Sequence, residues 1–152
     1  SACPSYYNRF LFLSEKTADL SAKFNTFDAA SKLQKEKIEI LKKTYTLTNL
    51  DLWLQTVKLK NTCSFNFTTI LYFYSLDNCN DCLAQGIVLD QLKKENPREF
   101  MIFAIDINLD LDVIKSLKES FNLTTAPSLV INEVKILQGF TGTTDLKKVL
   151  SV

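Results

Sequence analysis

The sequence predicts an α/β domain, a central mixed sheet flanked by helices, preceded by a helical N-terminal extension. Three observations carry this expectation. The β-branched and aromatic run Thr68-Thr-Ile-Leu-Tyr-Phe-Tyr74 has strand composition and stops at a polar turn. Cys79-Asn-Asp-Cys82 follows, and then apolar positions at helix spacing, Leu83, Ile87, Leu89 and Leu92. From there strands alternate with helices, as in a βαβ unit with parallel strands. The expected division is residues 1–63, a helical extension packed on the body, and residues 64–152, the sheet domain.

A chain of 152 residues makes one domain with room for an extension, and a hydrophobic fraction of 46% is ample for a packed core. Three Gly and three Pro argue against disorder and against a loop-rich disulfide scaffold. The net charge of +1 leaves no electrostatic footprint for nucleic acid. The chain has no histidine, which removes imidazole bases, Cys-His nucleophiles and the usual catalytic zinc sites. What remains is thiol or carboxylate chemistry, or none.

Residues 1–13, aromatic and apolar with Pro4, are expected to form an irregular lead-in. From Ser14 to Tyr45 the pattern is helical. Leu20, Phe24, Phe27, Ala30, Leu33, Ile38, Leu41 and Tyr45 form an apolar stripe, and a break falls near Asn25-Thr26 if there are two helices. Lys32, Lys35, Lys37, Lys42 and Lys43 read as a solvated face, interrupted by Glu36 and Glu39. The heptad is too irregular for a coiled coil, so a monomer is favoured over a dimer. Residues 46–60 fit both periods and lean helical, with Thr48 or Asn49 as cap; residues 61–66 read as a loop.

The strand over 68–75 leads into a helix over 80–95, ended by Asn96-Pro97. Phe100–Ile107 is a continuous apolar run, as of a strand buried on both faces. A helix over 110–121 turns Leu111, Ile114, Leu117 and Phe121 inward. Two strands, 128–132 and 134–138, form an antiparallel hairpin, and Thr143 or Thr144 caps a last helix over 143–150.

Cysteine chemistry is the sharpest signal. A cysteine at a helix start faces unpaired N–H groups and the positive end of the helix dipole, which favour its thiolate. Cys79 is therefore the exposed nucleophile, and Cys82, one turn on, the covered partner that closes a small disulfide. Asp77 and Asp81 flank the pair as candidate pKa-tuning groups, since carboxylates near a thiolate push its pKa up; pointing to water, they change little. Cys3 and Cys63 either form a second, structural disulfide, which places the chain in an oxidising compartment, or stand as two free thiols. Zinc would need all four cysteines as its ligands and lacks the usual second C-x-x-C. No metal and no cofactor are expected.

The order strand, C-x-x-C, helix, strand, helix, Pro-led strand, hairpin strand, helix resembles the thioredoxin superfamily over about residues 64–152. The resemblance rests on Cys79-x-x-Cys82 after a strand, Ala126-Pro127 before another, and Gly139 after the next. It implies a cis-proline at Pro127. It also implies that Ala126, Pro127, Gly139 and Phe140 flank Cys79 and bind an extended substrate peptide. The departures are specific. Thioredoxin has Trp before its first cysteine and Gly-Pro between the pair, where this chain has Asn78 and Asn80-Asp81. Thioredoxin's buried strand aspartate falls at Phe73, and its helix-kinking proline is missing at Gly86-Ile87.

The expected function is thiol–disulfide exchange on exported protein substrates, as reductase or isomerase, with a redox partner protein. The alternative is a redox-inactive interaction module whose C-x-x-C is only a staple. The expected location is extracytoplasmic (periplasm, lumen or cell exterior), with membrane anchoring as an option. Ser1-Ala-Cys-Pro reads as a trimmed start, as after removal of a signal or anchor. No partner nucleic acid is expected. The sequons Asn66-Phe-Thr68 and Asn122-Leu-Thr124 read as turn residues.

Overall fold

The computed structural model describes residues 1–24 and 32–152. The chain divides into two units, Ser1–Asn66 and Phe67–Val152, three residues beyond the boundary expected from the sequence.

The first unit is an antiparallel pair of helices, α1 (Cys3–Lys23) and α2 (Lys32–Cys63). The irregular lead-in expected over residues 1–13 is instead the first half of α1. Pro4 lies in the first turn, where a missing N–H costs nothing and the fixed φ suits the helix. Phe10, Leu13, Thr17 and Leu20 are buried at helical spacing. The expected break near Asn25-Thr26, and Phe27 and Ala30 of the stripe, lie outside the described residues. Leu33 of that stripe is 60% exposed.

Residues 46–60 are helical, within a helix that begins at Lys32. Thr48 and Asn49 are therefore not caps but buried mid-helix residues, and the loop starts at Ser64 rather than Asn61. Polar groups survive burial there because they bond the preceding turn: Thr48 Oγ1 donates to Thr44 O at 2.9 Å and Thr56 Oγ1 to Leu52 O at 2.7 Å. Between the helices, Gln55 Nε2 donates to Tyr6 O at 2.8 Å, and the Phe24 and Tyr45 rings meet edge to face. A Cys3–Cys63 disulfide, Cα–Cα 5.7 Å, joins the start of α1 to the end of α2.

The second unit is a four-stranded mixed sheet with three helices. β1 (Thr68–Tyr74), α3 (Asn80–Glu95), β2 (Phe100–Asp106), α4 (Asp112–Ser120), β3 (Ser128–Ile131), β4 (Lys135–Gln138) and α5 (Thr143–Leu150) follow in order, with strand order β2-β1-β3-β4. β1 and β2 are parallel, Thr68 opposite Phe100; β3 runs antiparallel to β1, Phe73 opposite Ser128, and β4 antiparallel to β3. β1 is inside the sheet and buried from Thr69 to Phe73. β2 was expected to be buried on both faces, but it is a border strand of this sheet and leaves Met101, Ile102 and Ala104 half-buried.

The register of α3 differs from the sequence expectation. Its buried positions are Cys82, Gln85, Leu89 and Leu92, whereas Leu83 and Ile87 are 71% and 70% exposed. The buried stripe has the expected period, but two of its four members are a cysteine and a glutamine, which a hydrophobic reading passes over. Leu89 and Leu92 join Ile70, Tyr72, Phe100, Leu129, Ile131 and Leu146 in one core cluster. In α4, Ile114 is buried as expected and Leu117 is half-buried, while Leu111 and Phe121, both half-buried, are the residues that flank the helix.

The β3–β4 turn takes two left-handed residues, Asn132 and Glu133, with Val134 N bonded to Ile131 O. That twist matches paired strands. α5 is capped by Gly142, not by a threonine side chain. Among the described residues, no helix is long and apolar enough to cross a membrane.

Candidate functional site

The site forms where β1 ends. The Ser75–Asn78 turn, with Asn78 at φ 46°, delivers Cys79 to the N-cap of α3. Cys79 Sγ accepts the Cys82 N–H at 3.2 Å, so the sulfur takes the capping place usually filled by a side-chain oxygen. Cys79 and Cys82 are joined as a disulfide, Cα–Cα 5.2 Å. Cys79 is half-buried and Cys82 only 3% exposed, which gives the pair an outer and an inner sulfur.

The inner cysteine is held from two sides. Ser75 N–H approaches Cys82 Sγ at 3.4 Å, and the Tyr72 hydroxyl donates to the Cys82 carbonyl from within the core. Burial first, and then the Asp90 carboxylate, push the Tyr72 pKa up, so this hydroxyl stays a donor.

The expected peptide-binding residues fall into two groups. The Ala126–Pro127 bond is cis, and the Ala126 carbonyl oxygen lies 3.7 Å from Cys79 Sγ. Gly139 N–H donates to Pro127 O at 2.8 Å, and Gly139 adopts φ 86°, a conformation that side-chain-bearing residues rarely take. Phe140 follows with 46% of its surface exposed. Ala126 is thus brought to Cys79 directly, and Gly139 to Pro127.

The two aspartates separate. Asp77 lines an open cleft of about 440 Å³ together with Cys79. Its carboxylate accepts from Asn108 Nδ2 at 3.4 Å, and its N–H donates to Ser75 Oγ at 3.0 Å. Asp81 sits exposed in the first turn of α3, outside that cleft, in the place that suits a helix-dipole acid.

Sequence reasoning missed much of the cleft wall. Ser75, Ile107, Asn108, Lys118, Leu123, Thr124 and Thr125 also line it. A signal was present, because Ser75 and Ile107-Asn108 directly follow the carboxyl ends of two parallel strands, where α/β sheets place their sites. Lys118 carried none, since it reads as one more exposed helical lysine.

Among the described residues, no group of three His, Cys, Asp or Glu is placed to hold a metal. All four cysteines are paired in disulfides, so the four-sulfur ligand set has no thiolate to offer.

No protein-family model matches this sequence, and no curated protein matches it significantly. Several solved structures are similar. One is thioredoxin-2, a component of the malaria parasite protein secretion machinery, at 21% identity and TM-score 0.48 over 57% of this chain and 82% of that one. Another is thioredoxin O2 from Arabidopsis thaliana, at 18% identity and TM-score 0.48 over 64% of this chain and 84% of that one. The germline-specific thioredoxin Deadhead from Drosophila melanogaster has 16% identity and TM-score 0.46 over 67% of this chain and 90% of that one. On its own strand order β2-β1-β3-β4, with a C-x-x-C disulfide at the head of α3 and a cis-proline leading β3, the Phe67–Val152 unit has a thioredoxin-like fold.

Proposed function

We propose that this protein is a thiol–disulfide oxidoreductase acting on exported proteins, with Cys79 as nucleophile and Cys82 as resolving cysteine. The observation that carries the reading is the placement of Cys79. Its sulfur is half-buried at the N-cap of α3, takes the Cys82 N–H, and faces the Ala126 carbonyl 3.7 Å away, with Cys82 behind it. A thiolate there is favoured by the N–H and the helix dipole.

In the reducing direction, the Cys79 thiolate attacks a substrate disulfide. A Cys79–substrate disulfide forms, and one substrate sulfur leaves as thiolate and takes a proton. The Cys82 thiolate then attacks Cys79 Sγ, breaking the mixed disulfide and releasing the second substrate thiol. The two electrons end in the substrate, and Cys79–Cys82 is restored as a disulfide. A dithiol partner protein resets it, so no cofactor is required. The Ala126 carbonyl accepts from the reduced Cys79 thiol, and Pro127, Gly139 and Phe140 offer the strand edge and ring to the substrate chain.

Asp77 beside Cys79 opposes the helix dipole and favours the reductase or isomerase direction over oxidation. The Cys3–Cys63 bridge supports an extracytoplasmic setting, because such bonds persist where the environment is oxidising.

A redox-inactive binding module is the competing reading. The outward Leu76, Leu83 and Ile87, each 70% exposed or more, favour it, since such side chains suit a protein partner. Redox titration of the full chain separates the two, each cysteine pair being followed by differential alkylation and peptide mass. A reversible two-electron transition of Cys79–Cys82 while Cys3–Cys63 stays closed is expected. A Cys79–Cys82 pair that never reduces in the folded protein overturns the oxidoreductase reading and leaves the module.

A further inference from the structure

The cleft beside Cys79 is lined by two donors without a bonded acceptor among the described residues, the Ser75 hydroxyl and the Lys118 ammonium. Asp77 supplies the carboxylate of its wall, and that group already accepts from Asn108 Nδ2. Asn108 Nδ2 also donates to Ser75 Oγ at 2.9 Å, and Asp77 N–H donates to the same oxygen. Ser75 Oγ thus accepts twice, and its own hydrogen has no acceptor among the described residues. Thr124 adds no free donor, since its N–H and Oγ1 both point to Gln138 Oε1.

Lys118 supplies the charge. It stands in the last turn of α4, its carbonyl fixed by the Leu123 N–H at 2.8 Å. Lys118 lines the cleft, and its ammonium has neither ion pair nor hydrogen bond among the described residues. A cation and a hydroxyl hydrogen therefore border the cleft without a bonded acceptor, in a wall whose carboxylate, Asp77, is engaged with Asn108. The same cleft reaches Cys79 and Ala126, so an occupant can present a sulfur and an acceptor together.

We infer that this cleft is a subsite for an acidic side chain, aspartate or glutamate, a few residues from the reacting cysteine of the substrate, with Lys118 as the residue that reads the charge. The inference rests on the oxidoreductase reading for the reacting cysteine. A carboxylate takes a charge-assisted bond from Lys118 and a second bond from Ser75, whereas a lysine on the substrate meets repulsion. Lys118 is half-buried, so the discrimination is modest, about fivefold between acidic and neutral substrates.

The test uses the full chain and three disulfide-linked peptides that differ in one flanking residue: Glu, Gln or Lys. Rates of exchange with reduced protein are measured for the natural chain, Lys118→Gln and Lys118→Glu, with near-ultraviolet circular dichroism to check folding. The natural chain is expected to prefer the Glu peptide about fivefold at low salt, with the preference fading at high salt. Lys118→Gln brings the ratio near one, and Lys118→Glu turns it toward the Lys peptide. An equal ratio in all three proteins, or no preference in the natural chain, overturns the subsite. Peptides carrying Ser for Cys are titrated calorimetrically in parallel. Should no peptide exchange at all, the oxidoreductase reading fails, while charge-dependent binding of the Ser peptides that is lost in Lys118→Gln still upholds the subsite; absence of that binding overturns it.

Discussion

Gln85 and Thr141 hold each other by a reciprocal pair of hydrogen bonds. Gln85 Nε2 donates to Thr141 O at 3.1 Å, and Thr141 N–H donates to Gln85 Oε1 at 2.8 Å. Gln85 is fully buried, one turn after Cys82. The helix that carries the disulfide is thereby tied to the Gly139–Gly142 loop. Replacing Gln85 with Leu leaves two backbone groups without partners, at about 1–3 kcal/mol each. We expect a loss of about 2–6 kcal/mol in chemical denaturation, and faster hydrogen exchange at the Thr141 amide. Unchanged protection at Thr141 would show that the amide pair does not hold the loop.

The division of labour between the sulfurs predicts an asymmetry in trapping. With Cys82→Ala, the mixed disulfide at Cys79 has no resolving thiol and should accumulate with a model disulfide substrate, seen as an adduct in intact-protein mass spectrometry. Cys79→Ala, which leaves only the 3% exposed sulfur, should form little. Equal adducts from both variants would contradict the assignment of nucleophile and partner.

Tyr72 sets a pH limit. Burial, and then Asp90, raise its pKa, so the folded state prefers the neutral phenol more than the unfolded chain does. Its contribution is fully present below the unfolded pKa of about 10 and is lost as pH climbs through and above that value. Stability should therefore fall above pH 10. Tyr72→Phe should cost about 1 kcal/mol at pH 7, through loss of one hydrogen bond to the Cys82 carbonyl, and should make the alkaline fall shallower. Denaturation midpoints between pH 7 and 11 test this, and an equally steep fall in both proteins argues against Tyr72 as its source.

The Cys3–Cys63 bridge spans 60 residues of sequence and closes the α1–α2 pair at one end. Constraint of a loop that long stabilises by about 4 kcal/mol. The double variant Cys3→Ser, Cys63→Ser should lose about that much in guanidinium unfolding followed by helix circular dichroism. A midpoint that does not move would mean the bridge adds nothing to the helical pair.

The face of α3 gives a cheaper test. Leu83→Lys and Ile87→Lys change exposed side chains and should each alter stability by no more than about 0.5 kcal/mol. Leu89→Ala, at 2% exposure, should cost about 2–5 kcal/mol. Reversal of that order would restore the inward stripe read from hydrophobicity alone.

Much of the second unit was legible in the sequence because its signals are local. A β-branched run, two cysteines at a helix start, Asn96-Pro97 and a hairpin turn each act within a few residues, and β1, α3, β3 and α5 lie within a residue of the ranges expected. The first unit was harder. Pro4 and the aromatic residues of α1 read as irregular, since a proline's meaning depends on whether the chain behind it is already helical. Thr48 and Asn49 looked like caps because cap residues and buried helix polar groups are the same residue types, told apart only by a preceding turn that offers a carbonyl.

By itself the sequence determined the element types of the second unit, the place of Cys79 and Cys82 at the start of a helix, and the classes that the absence of histidine removes. Only tertiary structure decided that Cys3 meets Cys63, that Gln85 rather than Leu83 faces inward, and that Lys118 lines the same cleft as Asp77 and Cys79. The physical reason is distance along the chain. Periodicity and capping record interactions within a turn or two, whereas these relationships join residues many positions apart, or turn on which side of a helix the sheet covers.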